Sequence, residues 1–150
     1  MFELIRTDSD NQDFRELVLL LDRELRIRDG EEHSFYAQFN NIDKIRNVVV
    51  AFENGEAVGC GAFKEYSGGV AEIKRMYVRA DKRGRGIAQK ILFELEKWAI
   101  ESNFSESILE TGLKQPEAVR LYQKSGYEKI PNYGQYAGIE NSVCMQKFIN

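Results

Sequence analysis

The sequence predicts an α/β protein built on a mixed sheet, in the order β-α-α-β-β-β-α-β-α-β-β. Three observations carry that expectation. From Asn47 onward, β-branched runs are separated by glycine turns at the spacing of an antiparallel meander. Gly86 to Ile100 and Pro116 to Gly126 each show an apolar face at helical spacing. Those helical stretches alternate with short strand-like runs, the pattern of a sheet flanked by helices.

Phe2 to Arg6 reads as the first strand. Ser9 and Gln12 match the S-x-x-Q capping box, in which each side chain satisfies an end amide of the helix. Phe14, Leu17, Val18, Leu21 and Leu25 then form one apolar stripe. Asp29-Gly30 marks a break before a shorter helix expected around Ser34 to Asn40. Val48 to Phe52 is a compact strand, and Asn54-Gly55 is the preferred dipeptide of a tight hairpin turn. Ala57 to Tyr66 returns, with Gly59 and Gly61 allowing close backbone approach, and Val70 to Val78 is the third strand of the meander. In the helix after Gly86, Ile87, Ala88, Ile91, Leu92, Leu95, Trp98 and Ala99 share a face, with Gln89, Lys90, Glu94 and Lys97 away from it. Ser107 to Glu110 is a short strand. Pro116 suits a first helical turn, and Gly126 stands where a left-handed residue ends a helix. Tyr127 to Ile130 and Ser142 to Ile149 complete the sheet, joined by the loop Pro131 to Glu140.

A chain of 150 residues is the size of one ordinary domain, and no linker, repeat or low-complexity tract divides residues 1–150. With 43% apolar and 30% charged residues it has the composition of a globular protein. No apolar run approaches the roughly 18 residues of a membrane helix. The acidic-containing start Met1 to Arg6 lacks the form of a secretory signal, so a cytoplasmic location is expected, without a membrane partner. The net charge of −3 argues against a nucleic-acid partner. Cys60 and Cys144 lie in apolar strands and read as small buried hydrophobes. No metal-ligand spacing is present. His33, the one histidine, follows Glu31-Glu32 in a polar stretch and reads as surface or substrate-side.

Chemistry concentrates between Met76 and Ala88, where a strand runs through a glycine turn into the long helix. Unpaired amides at a helix start and the helix dipole favour an anion there. Gly84 and Gly86 let a phosphate approach the main chain, and Arg83 and Arg85 add charge nearby. These features together predict a diphosphate site. It is neither a P-loop, since G-x-x-x-x-G-K-[ST] is absent, nor a dinucleotide fingerprint, since Gln89 replaces the third glycine and the turn follows an antiparallel meander.

Arg83-Gly84-Arg85-Gly86-Ile87-Ala88 resembles the Q/R-x-x-G-x-G/A signature of the GCN5-related N-acetyltransferase (GNAT) superfamily. Ala118-x-x-Leu121-Tyr122-x-x-x-Gly126-Tyr127 is similar to that family's A-x-x-L-Y-x-x-x-G-F segment, with Tyr127 in the aromatic slot. The resemblance runs from about Val48 to the end. It implies a mainly antiparallel central sheet flanked by helices, and acetyl-CoA as cosubstrate with no metal. The implied acceptor is a primary amine of a small molecule, amino acid or peptide, and the implied assembly is a homodimer.

The resemblance also implies roles. The main-chain amides of Arg83 to Ala88 hold the pyrophosphate, and the backbone of Met76, Tyr77 and Val78 runs beside the pantetheine arm. Tyr122 protonates the departing thiolate. Glu72 is a candidate base for the amine, although Lys74 shares its strand parity and a plain ion pair would also account for both. Glu110 is held in reserve. Gln115 replaces the usual Asn as a contact to the CoA arm. Tyr133, Tyr136, Glu31 and His33 are candidate acceptor contacts. The alternative to direct transfer in a ternary complex is a non-catalytic acyl-CoA-binding module of the same fold.

Overall fold

The computed structural model describes residues 2–29 and 44–150. The expected helix around Ser34 to Asn40 and the candidates Glu31 and His33 lie outside the described residues. Strand β1 (Phe2–Thr7) leads into helix α1 (Gln12–Asp29), and β2 (Asn47–Glu53), β3 (Glu56–Ser67) and β4 (Val70–Val78) follow. Helix α2 (Ile87–Glu101), β5 (Glu106–Gly112), α3 (Pro116–Lys124), β6 (Glu128–Ile130) and β7 (Ser142–Phe148) complete the order. The seven strands form one sheet, β1-β2-β3-β4-β5-β7-β6, in which only the β4–β5 pair is parallel.

Strand parity, reset in β3 by a register shift at Val58, separates two apolar layers. Val48, Val50, Cys60 and Ala62 face α1, meeting Phe14, Leu17, Val18 and Leu21. Val49, Ala51, Val58 and Phe63 face the other way, onto Ile87, Ile91, Leu92 and Leu95 of α2 and Tyr122 of α3. The expected close approach is at Gly59, where a Cβ would come within 2.9 Å of the Tyr77 carbonyl oxygen. Both cysteines are buried free thiols, as their apolar runs suggest. Asn54 and Gly55 both take positive φ, 52° and 82°, as a tight hairpin turn demands.

The start of α1 departs from the expected capping box. Its first amides are met by Asn11, whose Oδ1 accepts from the Phe14 amide at 2.9 Å. Ser9 is buried instead against Ile45, exchanging two bonds with its backbone at 2.9 and 3.2 Å. Gln12 turns along the helix to Glu16. The pattern S-x-x-Q is present, but a neighbouring Asn in the right place is at least as good a cap.

Two features of β4 open a cleft beside it. The strand pairs with β5 only at Val70, Ala71 and Glu72, opposite Glu106, Ser107 and Ile108, and beyond these its β5-side edge diverges. On its other edge the register with β3 slips between Cys60 and Ala62, so that Arg75 and Met76 together oppose Gly61. Arg75 sits in that bulge with φ 59°. A bulge of this kind bends the strand and re-aims its backbone, here at the edge of the cleft.

Candidate active site

Where β4 and β5 part, two cavities adjoin. The larger, about 610 Å³, runs along the free edge of β4 to the turn before α2. The smaller, about 130 Å³, lies on the α1 side between β4, β5 and the β6–β7 loop. Leu21, Leu25, Met76, Gln115, Ala118 and Tyr122 line both, so they mark the junction.

The larger groove ends at the glycine turn. Gly84 and Gly86 both have φ 79°, and an added Cβ at either would meet nothing within 4 Å. Their requirement is conformational, and the space beyond them is open to a ligand. Gly86 caps α2 without a side-chain bond, leaving first-turn amides free for an anion. These residues fit a diphosphate. Met76, Tyr77 and Val78, then Arg83, Ile87, Ala88 and Gln115, line the same groove.

Arg85 does not. Its guanidinium pairs with Glu53 and lies 5.2 Å over the Phe2 ring. Arg83 is also engaged: it donates to Glu24 at 2.8 and 2.9 Å, stacks over Tyr77 and gives its Nε–H to the Val78 carbonyl at 2.9 Å. Lys82 joins Glu53 at 3.3 Å. The turn's positive charge is therefore largely matched, and attraction for an anion falls mainly to the backbone amides. Glu24 and Glu53 had no sequence signal, because they lie 59 and 32 residues from the arginines they meet.

The smaller cavity is rich in ionisable groups. Glu72, buried to 3% exposure, accepts a bond from the Tyr133 hydroxyl at 2.8 Å and faces the Lys74 ammonium at 3.9 Å. Burial lowers the Lys74 pKa, with Glu72 working in the opposite sense. Glu110, on β5, accepts from Ser142 at 2.8 Å. Tyr136 lines the cavity with Glu72 and Glu110, whereas Tyr133 does not: its phenol is committed to Glu72 and its ring packs edge-on to Tyr66 and Tyr136.

Tyr122 stands at the junction, 6% exposed, on the face of α3 turned to the sheet. Burial first, and the Glu110 charge second, push its phenol well above the usual tyrosine range, so it keeps its proton at any ordinary pH. The raised pKa makes it a weaker acid than a free phenol, so what suits it to protonate a thiolate is its place at the junction with its proton retained. Among the described residues, no group of three or more His, Cys, Asp or Glu is arranged to hold a metal ion. No helix among them is long and apolar enough to cross a membrane.

Residues 12–127 match the model of the acetyltransferase (GNAT) family. An IAA acetyltransferase from Azospirillum brasilense is 36% identical over 100 residues, covering 66% of this chain and 65% of that protein. An uncharacterized N-acetyltransferase of Bacillus subtilis is 30% identical over 112 residues, 71% of this chain and 74% of its own length. The crystal structure of a candidate acyl-CoA N-acyltransferase from Klebsiella pneumoniae superposes with a TM-score of 0.84 at 26% identity, covering 100% of this chain and 99% of that one. The PaiA N-acetyltransferase of Thermoplasma acidophilum, solved in complex with coenzyme A, shares the fold at 17% identity, with a TM-score of 0.74 and 99% of each chain covered. The chain belongs to the acetyltransferase (GNAT) family of N-acetyltransferase enzymes.

Proposed function

We propose that this protein transfers the acetyl group of acetyl-CoA directly to a primary amine, both substrates being bound together. The observation that carries the reading is the meeting of the two cavities at Tyr122: a groove along an unpaired strand edge adjoins there a pocket lined by Glu72 and Glu110 together with Lys74, Arg75 and Lys114. The Thermoplasma protein of the same fold was solved in complex with coenzyme A, which supports coenzyme A as the class of cosubstrate.

In this reading the amides from Arg83 to Ala88 bind the pyrophosphate, and the β4 edge from Met76 to Val78 holds the pantetheine arm as an added strand would. The Val78 carbonyl already accepts from Arg83, so the arm either uses its neighbours or displaces that guanidinium. An amide near Met76 donates to the thioester carbonyl as negative charge develops on its oxygen. Glu72 takes a proton from the ammonium, directly or through water, freeing the nitrogen lone pair. The nitrogen bonds to the acetyl carbon, the carbon–sulfur bond breaks, and Tyr122 gives its proton to the sulfur. The new amide nitrogen loses its second proton to solvent, from which the Tyr122 phenolate regains one, and Glu72 releases the proton it took, so each turnover frees one proton. Cys60 and Cys144 line neither cavity, which favours direct transfer over an acyl-enzyme.

Free-thiol release from acetyl-CoA across a panel of small amines, amino acids and peptides tests the reading. Amine-dependent release is the expected result. Saturable acetyl-CoA binding with no release against any acceptor would make the chain an acyl-CoA-binding module instead.

A further inference from the structure

Tyr127 fills a slot that the related motif writes as Phe, so its hydroxyl calls for a purpose of its own. That oxygen is buried with two partners: Ser107 Oγ at 2.7 Å and Glu96 Oε2, to which it donates, at 2.8 Å. Glu96 is itself buried, and its other oxygen accepts from Lys147 Nζ at 2.8 Å. The Lys147 ammonium lies over the Tyr127 ring at 5.7 Å. The phenol is therefore fixed from α2, β5 and β7 at once.

The other end of Tyr127 is tied to Tyr122. The Tyr127 amide donates to the Tyr122 carbonyl at 2.9 Å and the Gly126 amide to the Gln123 carbonyl at 3.1 Å, while Gly126 takes φ 100°. These are the two bonds of a Schellman motif, whose characteristic side-chain contact joins the residues at its two ends. Here that contact is Tyr122 against Tyr127, ring centroids 5.9 Å apart and edge to face. We infer that Tyr127 is a positioning residue, its anchored hydroxyl fixing the ring that holds the Tyr122 phenol at the junction of the two cavities.

This rests on Tyr122 acting as the acid, and the test separates the two. Tyr122→Phe, Tyr127→Phe and the double variant are compared by kcat, KM for acetyl-CoA and melting temperature. With the ring kept and the anchor removed, Tyr127→Phe is expected to lower kcat about tenfold, a fraction of what misplacement by a full ångström costs, with KM unchanged. In the Tyr122→Phe background the same change should lower kcat no further, because no phenol remains to be placed. Ser107→Ala, which removes one of the two anchors and leaves the other, should show the same non-additivity with a smaller loss, about threefold. It stands in if Tyr127→Phe does not fold. A purely structural hydroxyl would lower the melting temperature but leave kcat at the wild-type value, or lower it equally in both backgrounds. Either outcome overturns the inference. Full turnover in Tyr122→Phe alone would overturn the acid assignment, and with it any phenol for Tyr127 to place.

Discussion

Glu72 and Lys74 share a face of β4, and their carboxylate and ammonium stand 3.9 Å apart with both side chains almost wholly buried. A pair of that kind contributes little to stability when intact, yet breaking it strands a charge. Glu72 also faces the cavity beside Tyr122, so its two roles need separating by kinetics. Glu72→Gln is expected to lower kcat/KM about 10²-fold at neutral pH, the lower end of what a general base supplies. The loss should shrink as pH rises toward the pKa of the acceptor amine, since the free amine then needs no base. An ion pair without a catalytic role would lower the melting temperature and leave the shape of the pH–rate profile unchanged. The shared parity of the two residues is legible in the sequence. The third partner, Tyr133, is not: its loop is 61 residues away, and in place of the expected acceptor contact it offers a phenol bonded to Glu72.

Among the elements, the two helix starts differ in what sequence could reveal. The turn before α2 is readable because its chemistry is local: two glycines at φ 79° and first-turn amides need no distant partner. Gly86→Glu, which places a carboxylate and a Cβ where the pyrophosphate is expected, should abolish acetyl-CoA binding by calorimetry while the fold survives. The positive φ adds strain of roughly 1–2 kcal/mol. The start of α1 misleads because the capping-box pattern accounts for Ser9 only if nothing else needs it. Ile45 does, through two buried bonds formed across 36 residues. Asn11→Ala should therefore destabilise the protein by about 1 kcal/mol in denaturant unfolding, and Gln12→Ala by much less. Strand order is legible up to β4 from the meander. The β4 bulge is not, because nothing local in Lys74-Arg75-Met76 announces a non-glycine residue at φ 59°. Its cause lies in pairing with β3, and Arg75 is held from α1 by Asp22 at 2.8 Å.

At the scale of the whole molecule, seven acidic protons among the described residues are held more tightly in the fold than in a free side chain. Burial is the leading cause in each. It pushes the Tyr77 phenol and the Cys60 thiol up to about 12 and Cys144 up to about 11. Tyr122, Tyr127, Tyr133 and Tyr136 shift in the same direction. Between its ordinary and its folded pKa, each such group binds more protons folded than unfolded, so stability falls as pH rises. Lys74 acts in the opposite sense, one group against seven. The melting temperature should hold up to about pH 9 and then fall steadily through pH 12, as thermal scans at low salt would record.

The three residue pairs that join β4 to β5 have a mechanical consequence. They make a short seam between two parts of the sheet, one carrying β1 to β4 and the other β5, β7 and β6, braced from beneath by the core that α2 and α3 share. In the proposed reading, the arm of acetyl-CoA is a wedge driven into that seam. The protein then stiffens when loaded, and its stability tracks the cosubstrate supply. On the same reading spent CoA fills that seam too, so the product as well as the cosubstrate should raise the melting temperature.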